Sequence, residues 1–235
     1  MRTFFHSGIA RGIVVGLILA SVAGTIFLAV LIHYHPIFAL DVSISREVQE
    51  SSGPGLLLFM QIVSIFGIPW VAVPATLIIA GIFFFGSLRR EALFAVLTLG
   101  VGGVNALIKA IINRPRPTDT LIAVYQKLTD PSFPSGHVVY YVVFFGFLIA
   151  AMALAPRIPR AVRVAVGSVS AALIVLVAVS RLYLGVHWAT DVAAGYCIGF
   201  ALLSGLLHYY FKGIASGRAN FPPKANQPRV DGTPA

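Results

Sequence analysis

The chain has 235 residues, of which 58% are hydrophobic and only 11% charged, and its mean hydropathy is +0.89. That is more apolar surface than a soluble domain of this size can bury, which excludes an ordinary soluble enzyme and a disordered tail protein. In a soluble chain the formal charge of +9 would suggest a nucleic-acid partner, but in an apolar chain it has a second origin, the sidedness of membrane loops.

Ile13 to Ile32 is a run of twenty residues without a charge, enough at about 1.5 Å per residue to cross a hydrocarbon core of about 30 Å. It continues past the small residues Ala20 to Ala23 through Phe27, so it reads as a retained membrane helix rather than a cleaved signal. Asp41 to Gly53 is polar and carries Arg46, Glu47 and Glu50. Leu56 to Gly67 is apolar but too short to cross, and is expected to form an interfacial or re-entrant helix. Further spans are expected at 71–88, 92–108, 138–155, 165–179 and 192–211.

The fold class is therefore all-α: a polytopic membrane protein with six transmembrane helices and one short interfacial helix. Residues 1–212 form a single membrane domain, and residues 213–235, rich in Gly, Pro, Asn and Ala, are expected to be a disordered tail. With six spans and both termini in the cytoplasm, Arg89, Arg90, the cluster Arg157, Arg160 and Arg163 and the basic tail fall on one side, as the positive-inside rule asks. The basic charge is then mostly topology, and no nucleic-acid partner is expected. The single Cys197 excludes an internal disulfide and a cysteine metal cluster.

Three polar clusters fall at the outer ends of these spans, where ionisable side chains are costly and read as functional. Lys109 and Arg116 follow the third span, seven positions apart. If the helix persists they present two cations to one anion, with Pro115 and Pro117 ending it. Pro134-Ser135-Gly136-His137 opens the fourth span. Ser135 stands at an N-cap position, and the amides of Gly136 and His137 are free at a positive helix end that suits phosphate oxygens. Ser180-Arg181, His187 and Asp191 bridge the fifth and sixth spans. A sixth helix starting near His187 would set Asp191 at i+4, where its carboxylate accepts one imidazole N–H and leaves the other nitrogen as nucleophile or base.

The bland reading stays open for each cluster. A His/Asp pair at i,i+4 is more often structural, and interfacial Lys and Arg more often snorkel, which is the reading for Arg114 and Lys127. His6, His33, His35 and His208 read as interfacial. Trp70, Tyr183, Trp188 and Phe211 read as aromatic belt or packing, with pocket lining the lesser alternative for Tyr183 and Trp188. His137, His187 and Asp191 also count as a two-histidine, one-carboxylate metal set. Lys109, Arg116 and Arg181 would repel a divalent ion there, so a bound oxyanion is expected, with no metal and no cofactor.

These residues resemble the type 2 phosphatidic acid phosphatases, or lipid phosphate phosphatases, and specifically a bacterial membrane-integral member. The resemblance rests on Lys, six residues, Arg-Pro (Lys109 to Pro117); Pro-Ser-Gly-His (Pro134 to His137); and Ser-Arg, five residues, His, three residues, Asp (Ser180 to Asp191). It covers about residues 70–205, the catalytic core, and implies the helical core that this family shares with vanadium haloperoxidases. It also implies that Lys109, Arg116, Arg181, Ser135 and the Gly136 amide cradle a phosphoryl group. His187 would be the nucleophile, oriented by Asp191, and His137 would protonate the leaving oxygen and then activate water. Val138, and Ala189 after Trp188, depart from residues frequent in the family and bear on substrate fit.

Clusters on the outer face limit the substrate to a lipid phosphate of the extracytoplasmic leaflet of the cytoplasmic membrane. The resemblance suggests undecaprenyl diphosphate, phosphatidylglycerol phosphate or phosphatidic acid, with undecaprenyl diphosphate favoured. The rival readings are a lipid phosphotransferase that uses the same phosphohistidine and a non-catalytic lipid-phosphate binding or transport protein. Haloperoxidases share the pocket but are soluble.

Overall fold

The computed structural model describes residues 8–156 and 158–217, all of whose regular structure is helical. Helix α1 spans Gly8–Tyr34 and α2 spans Ala39–Gln49; α3 (Pro54–Ser64) leads through a single 3-10 turn into α4 (Pro69–Phe85). Helix α5 (Arg89–Leu97) continues through another such turn into α6 (Val101–Ile112); then come α7 (Gly136–Leu154), α8 (Arg160–Tyr183) and α9 (Ala189–Gly217). The expected all-helical membrane architecture is what the chain adopts. Among the described residues five helices are long and apolar enough to cross a membrane, and α3 with α4, bent by 62° at their junction, have together the length and composition of a sixth, as a broken span or a re-entrant loop.

Leu56–Gly67, expected as an interfacial or re-entrant helix, is the first arm of that bent pair. Two of its carbonyls accept bonds from other helices: Ser180 Oγ donates to the Met60 carbonyl at 2.7 Å and Tyr141 Oη to that of Val63 at 2.5 Å. Such pairing is what allows a broken helix at membrane depth. Helix α9 runs beyond Lys212 to Gly217, and the rest of the expected tail lies outside the described residues.

Helix α7 is the centre of the bundle. From Val138 to Leu148 every residue is buried, and α5, α6, α8 and α9 pack around it. The apolar faces that remain, such as Ile13, Leu17 and Phe27 on α1 and Ile78, Ile82 and Phe85 on α4, point away from the core, as lipid-facing residues do. Gly195 and Gly199 of α9 let it approach α7 closely: a Cβ at either would come within 2.9 Å of the Val138 or Val142 side chain. This small-residue packing replaces the hydrophobic driving force that lipid withholds. It also fixes the N-terminal ends of α7 and α9 side by side, where the Ser135 N–H donates to the Asp191 carbonyl at 3.1 Å.

Candidate active site

The C-terminal ends of α6 and α8 and the N-terminal ends of α7 and α9 converge at one end of the bundle, so all three sequence clusters meet there. They border a cavity of about 440 Å³. Its polar end carries Lys109, Arg116, Gly136, His137 and His187, and its other side is apolar, with Trp70, Val73, Leu99 and Val101.

Helix α6 ends earlier than the prolines suggest. Asn113 adopts the left-handed conformation with φ 45°, and its N–H caps the Lys109 carbonyl. Lys109 and Arg116 therefore do not share one helix; Arg116 lies on the following loop. They still converge, because both grip Asp130: Lys109 Nζ lies 2.6 Å from Oδ2 and Arg116 Nη2 lies 2.9 Å from Oδ1. Lys109 also donates to the Pro131 carbonyl, and Arg116 to the carbonyls of Asp130 and Val186. Burial raises the Asp130 carboxyl, but the Lys109 hydrogen bond and the charges of Arg116 and Lys109 outweigh it, so the group titrates below the ordinary carboxylate range.

Ser135 is the N-cap of α7, but its Oγ caps no amide and is buried without a partner. The His137 Nε2 is likewise buried and unpartnered. Gly67, at the bend before α4, lies directly against the His137 ring: a Cβ there would overlap it. A Cβ at Gly136 would lie 2.7 Å from Asn105 Nδ2, so a side chain there would displace the Asn105 amide.

Arg181 is 1% exposed, and all three of its guanidinium nitrogens are without a partner. A buried cation in that condition is costly unless an anion meets it. Ser180 Oγ points elsewhere, to Met60. At Gly185 the chain turns with φ 66° and has the Ala123 carbonyl against it, which leaves no room for a side chain.

His187 precedes α9 by two positions and is 2% exposed. Its Nδ1 faces Asp191 Oδ2 at 3.6 Å, longer than the hydrogen bond expected from the spacing. Burial, opposed by Asp191 and aided by Arg116 and Lys109, brings the imidazole down to about 4, so it is a neutral base at neutral pH. Among the described residues no three His, Cys, Asp or Glu side chains come together as a metal-holding group.

Sequence reasoning misread one residue and passed over three. Arg114, expected to snorkel, is 2% exposed and bonded to both Asp41 and Asp191. Asp41 and Asp130 gave no signal, because their partners are remote or lie in a loop without periodicity. Asn105 stands one helical turn before Lys109, a spacing that could have marked it. Trp188, read as belt or packing, is fully buried, its Nε1 donating to the Pro115 carbonyl at 3.0 Å. Lys127 is exposed and pairs with Asp119 at 3.0 Å.

The sequence profile of the PAP2 superfamily matches residues 91–215, which hold every element of this site from Lys109 to Asp191. The chain belongs to that superfamily. It is 31% identical over 183 residues to phosphatidylglycerophosphatase B of Bacillus subtilis, spanning 75% of this chain and 86% of the relative. To undecaprenyl-diphosphatase of Sulfolobus acidocaldarius it is 32% identical over 149 residues, 62% of this chain and 65% of that one. The crystal structure of a transmembrane PAP2-type phosphatidylglycerolphosphate phosphatase from B. subtilis superposes with a TM-score of 0.69 and 27% identity, covering 87% of this chain and 98% of that one. Aquifex aeolicus LpxE shares the fold with a TM-score of 0.55 at 23% identity, over 74% and 98% of the two chains. Superfamily membership and phosphatase relatives make the chain a phosphoric ester hydrolase.

Proposed function

We propose that this chain dephosphorylates a membrane lipid phosphate on the extracytoplasmic face, through a phosphohistidine on His187. The observation that carries the reading is Arg181, a buried guanidinium with three unpartnered nitrogens, close enough to His137 and Arg116 to act on both electrostatically, behind a cavity that Lys109, Arg116, His137 and His187 line. Such a set of fixed donors stabilises charge on equatorial phosphoryl oxygens.

In the first step the neutral His187 attacks phosphorus through Nε2, since Nδ1 faces Asp191. The N–P bond forms as the bond from phosphorus to the leaving oxygen breaks, and His137 gives that oxygen a proton. In the second step His137 takes a proton from water, the water oxygen bonds to phosphorus, and the N–P bond breaks. Ser135 Oγ and the Gly136 N–H supply further donors to the phosphoryl group. The apolar side of the cavity, from Trp70 to Val101, suits lipid chains entering from the bilayer.

The positive-inside rule supports an extracytoplasmic site: Arg89, Arg90, Arg160 and Arg163 lie at the end of the bundle opposite the site. For the substrate, the match to a phosphatidylglycerophosphatase spans 86% of that relative, against 65% for the undecaprenyl-diphosphatase. This extent favours phosphatidylglycerol phosphate over undecaprenyl diphosphate, reversing the order favoured from sequence.

The test is phosphate release by the purified protein in detergent with excess chelator. Phosphatidylglycerol phosphate, undecaprenyl diphosphate and phosphatidic acid are compared, with His187→Ala alongside. Chelator-resistant release lost in the variant is expected. Labelling of an added lipid acceptor without free phosphate would make the chain a transferase, and no turnover of any lipid would make it a binding protein. A periplasmic reporter fused after Lys127 is expected to be active; an inactive one overturns the sidedness.

A further inference from the structure

One buried group has no part in the phosphoryl chemistry above. Arg114 lies on the loop after α6, its side chain fully buried, and every guanidinium nitrogen is used. Nε donates to the Pro36 carbonyl at 2.8 Å and Nη2 to Asp41 Oδ2 at 2.7 Å. Nη1 donates both to Thr190 Oγ1 at 2.7 Å and to Asp191 Oδ1 at 2.5 Å. The guanidinium also sits over the Trp188 ring, 5.9 Å from its centroid.

Asp41, in the first turn of α2, is 0% exposed and holds the other side. Its Oδ1 accepts the Thr190 N–H at 2.9 Å, and its Oδ2 accepts the Thr190 hydroxyl at 2.9 Å. It thus caps the start of α9, a helix end that welcomes a carboxylate. Asp41 lies outside residues 91–215, so a segment beyond the matched superfamily core reaches into the catalytic end.

The effect falls on Asp191. Arg114 takes Oδ1, leaving Oδ2 for the Trp188 N–H at 2.9 Å and for His187 Nδ1. The carboxylate cannot rotate without breaking a charge-assisted bond in a buried site. The geometry points to Arg114, anchored by Asp41, as a positioning residue that fixes which oxygen of Asp191 serves His187. This rests on the reading of His187 as the nucleophile. Unlike Arg181, Arg114 has all three guanidinium nitrogens bonded within the protein, so its role runs through Asp191 rather than through the substrate. When Nε2 bonds to phosphorus, the Nδ1–H becomes a stronger donor, and an oxygen already aimed at it accepts the bond without reorganisation.

A merely structural role would consist of balancing two buried carboxylates with one cation. The double variant Arg114→Met with Asp41→Asn keeps the net charge of the cluster, so it separates the two roles. Its melting temperature, its kcat and KM for phosphatidylglycerol phosphate and the pH dependence of kcat/KM are compared with those of the wild type. The charged and titratable groups acting on His187 are Asp191, Arg116, Lys109 and His137. With Arg114 gone, the Asp191 charge acts on His187 undivided, so the acidic limb moves to higher pH.

The expected result is a folded double variant with kcat reduced by about 100-fold, KM changed by less than about threefold, and the limb raised. A folded double variant with wild-type kcat and an unmoved limb overturns the proposal. If it does not fold, Arg114→Lys decides, because an ammonium keeps the charge without the fork: reduced kcat at unchanged KM supports positioning, and wild-type kcat overturns it. A wild type inactive on every lipid overturns the functional reading first, and this one with it.

Discussion

His187 Nδ1 faces Asp191 Oδ2 across 3.6 Å, while that oxygen accepts the Trp188 N–H at 2.9 Å. The carboxylate is thus aimed at the imidazole without being bonded to it, and it does not keep the ring protonated. Burial dominates and brings the imidazole to about 4. A base with a depressed folded value is neutral and nucleophilic at every pH above it. The acidic limb of kcat/KM, which reports the free enzyme, is therefore expected at about pH 4 rather than at the ordinary histidine value of about 6.5. Stability follows the same sign: the unfolded chain binds this proton more readily, so stability is lost as pH falls from about 6.5 toward 4. A limb near 6.5 would rule out a buried neutral nucleophile.

Arg181 offers a planar fork with no protein acceptor. Replacing it by lysine keeps the charge but loses the parallel donors, each worth about 1.5–3 kcal/mol when charge-assisted. Arg181→Lys should therefore lose about 10- to 100-fold in kcat/KM and a similar factor in affinity for vanadate, a phosphate mimic. Wild-type vanadate affinity in this variant would show that the guanidinium does not meet the oxyanion.

Much of this was legible in the sequence because membrane burial makes charge informative. Lys109, Arg116, His137, Arg181, His187 and Asp191 stood out as ionisable groups at the ends of apolar runs, and all reach one end of the bundle. What could not be read were pairings over long separations. Arg114 looked like any interfacial arginine because Asp41 and Asp191 lie 73 and 77 positions away. The bend between α3 and α4 was visible only as a run too short to cross, since the hydroxyls that donate to two of its carbonyls, Ser180 and Tyr141, belong to other helices.

Asp130 occupies the two cations that the functional reading assigns to phosphate, at 2.6 Å from Lys109 and 2.9 Å from Arg116. Its carboxyl titrates below the ordinary range, so it stays ionised wherever the enzyme is active and competes with any anion for the same donors. Its side chain is 55% exposed, and solvent screening keeps each pair near the weak end of ion-pair strengths. Asp130→Asn is accordingly expected to tighten inhibition by inorganic phosphate by about two- to fivefold. Weaker inhibition in the variant would mean that Asp130 organises the cations rather than competing for them.

Gly67 connects the bent pair to the chemistry. It lies at the end of the 3-10 turn between α3 and α4, and a Cβ built there overlaps the His137 ring. The ring can escape only by rotating, which moves the proton donor away from the leaving oxygen. Gly67→Ala should lower kcat by about 10²–10⁴-fold, the usual contribution of one general acid, and leave phosphate affinity nearly unchanged, since the cations are untouched. Gly81→Ala is the control, because a Cβ there meets nothing within 4 Å and α4 gains a better helix former. Equal activities of the two alanine variants would mean that His137 tolerates displacement, and the assignment of the proton donor would then have to pass to another group in the cavity.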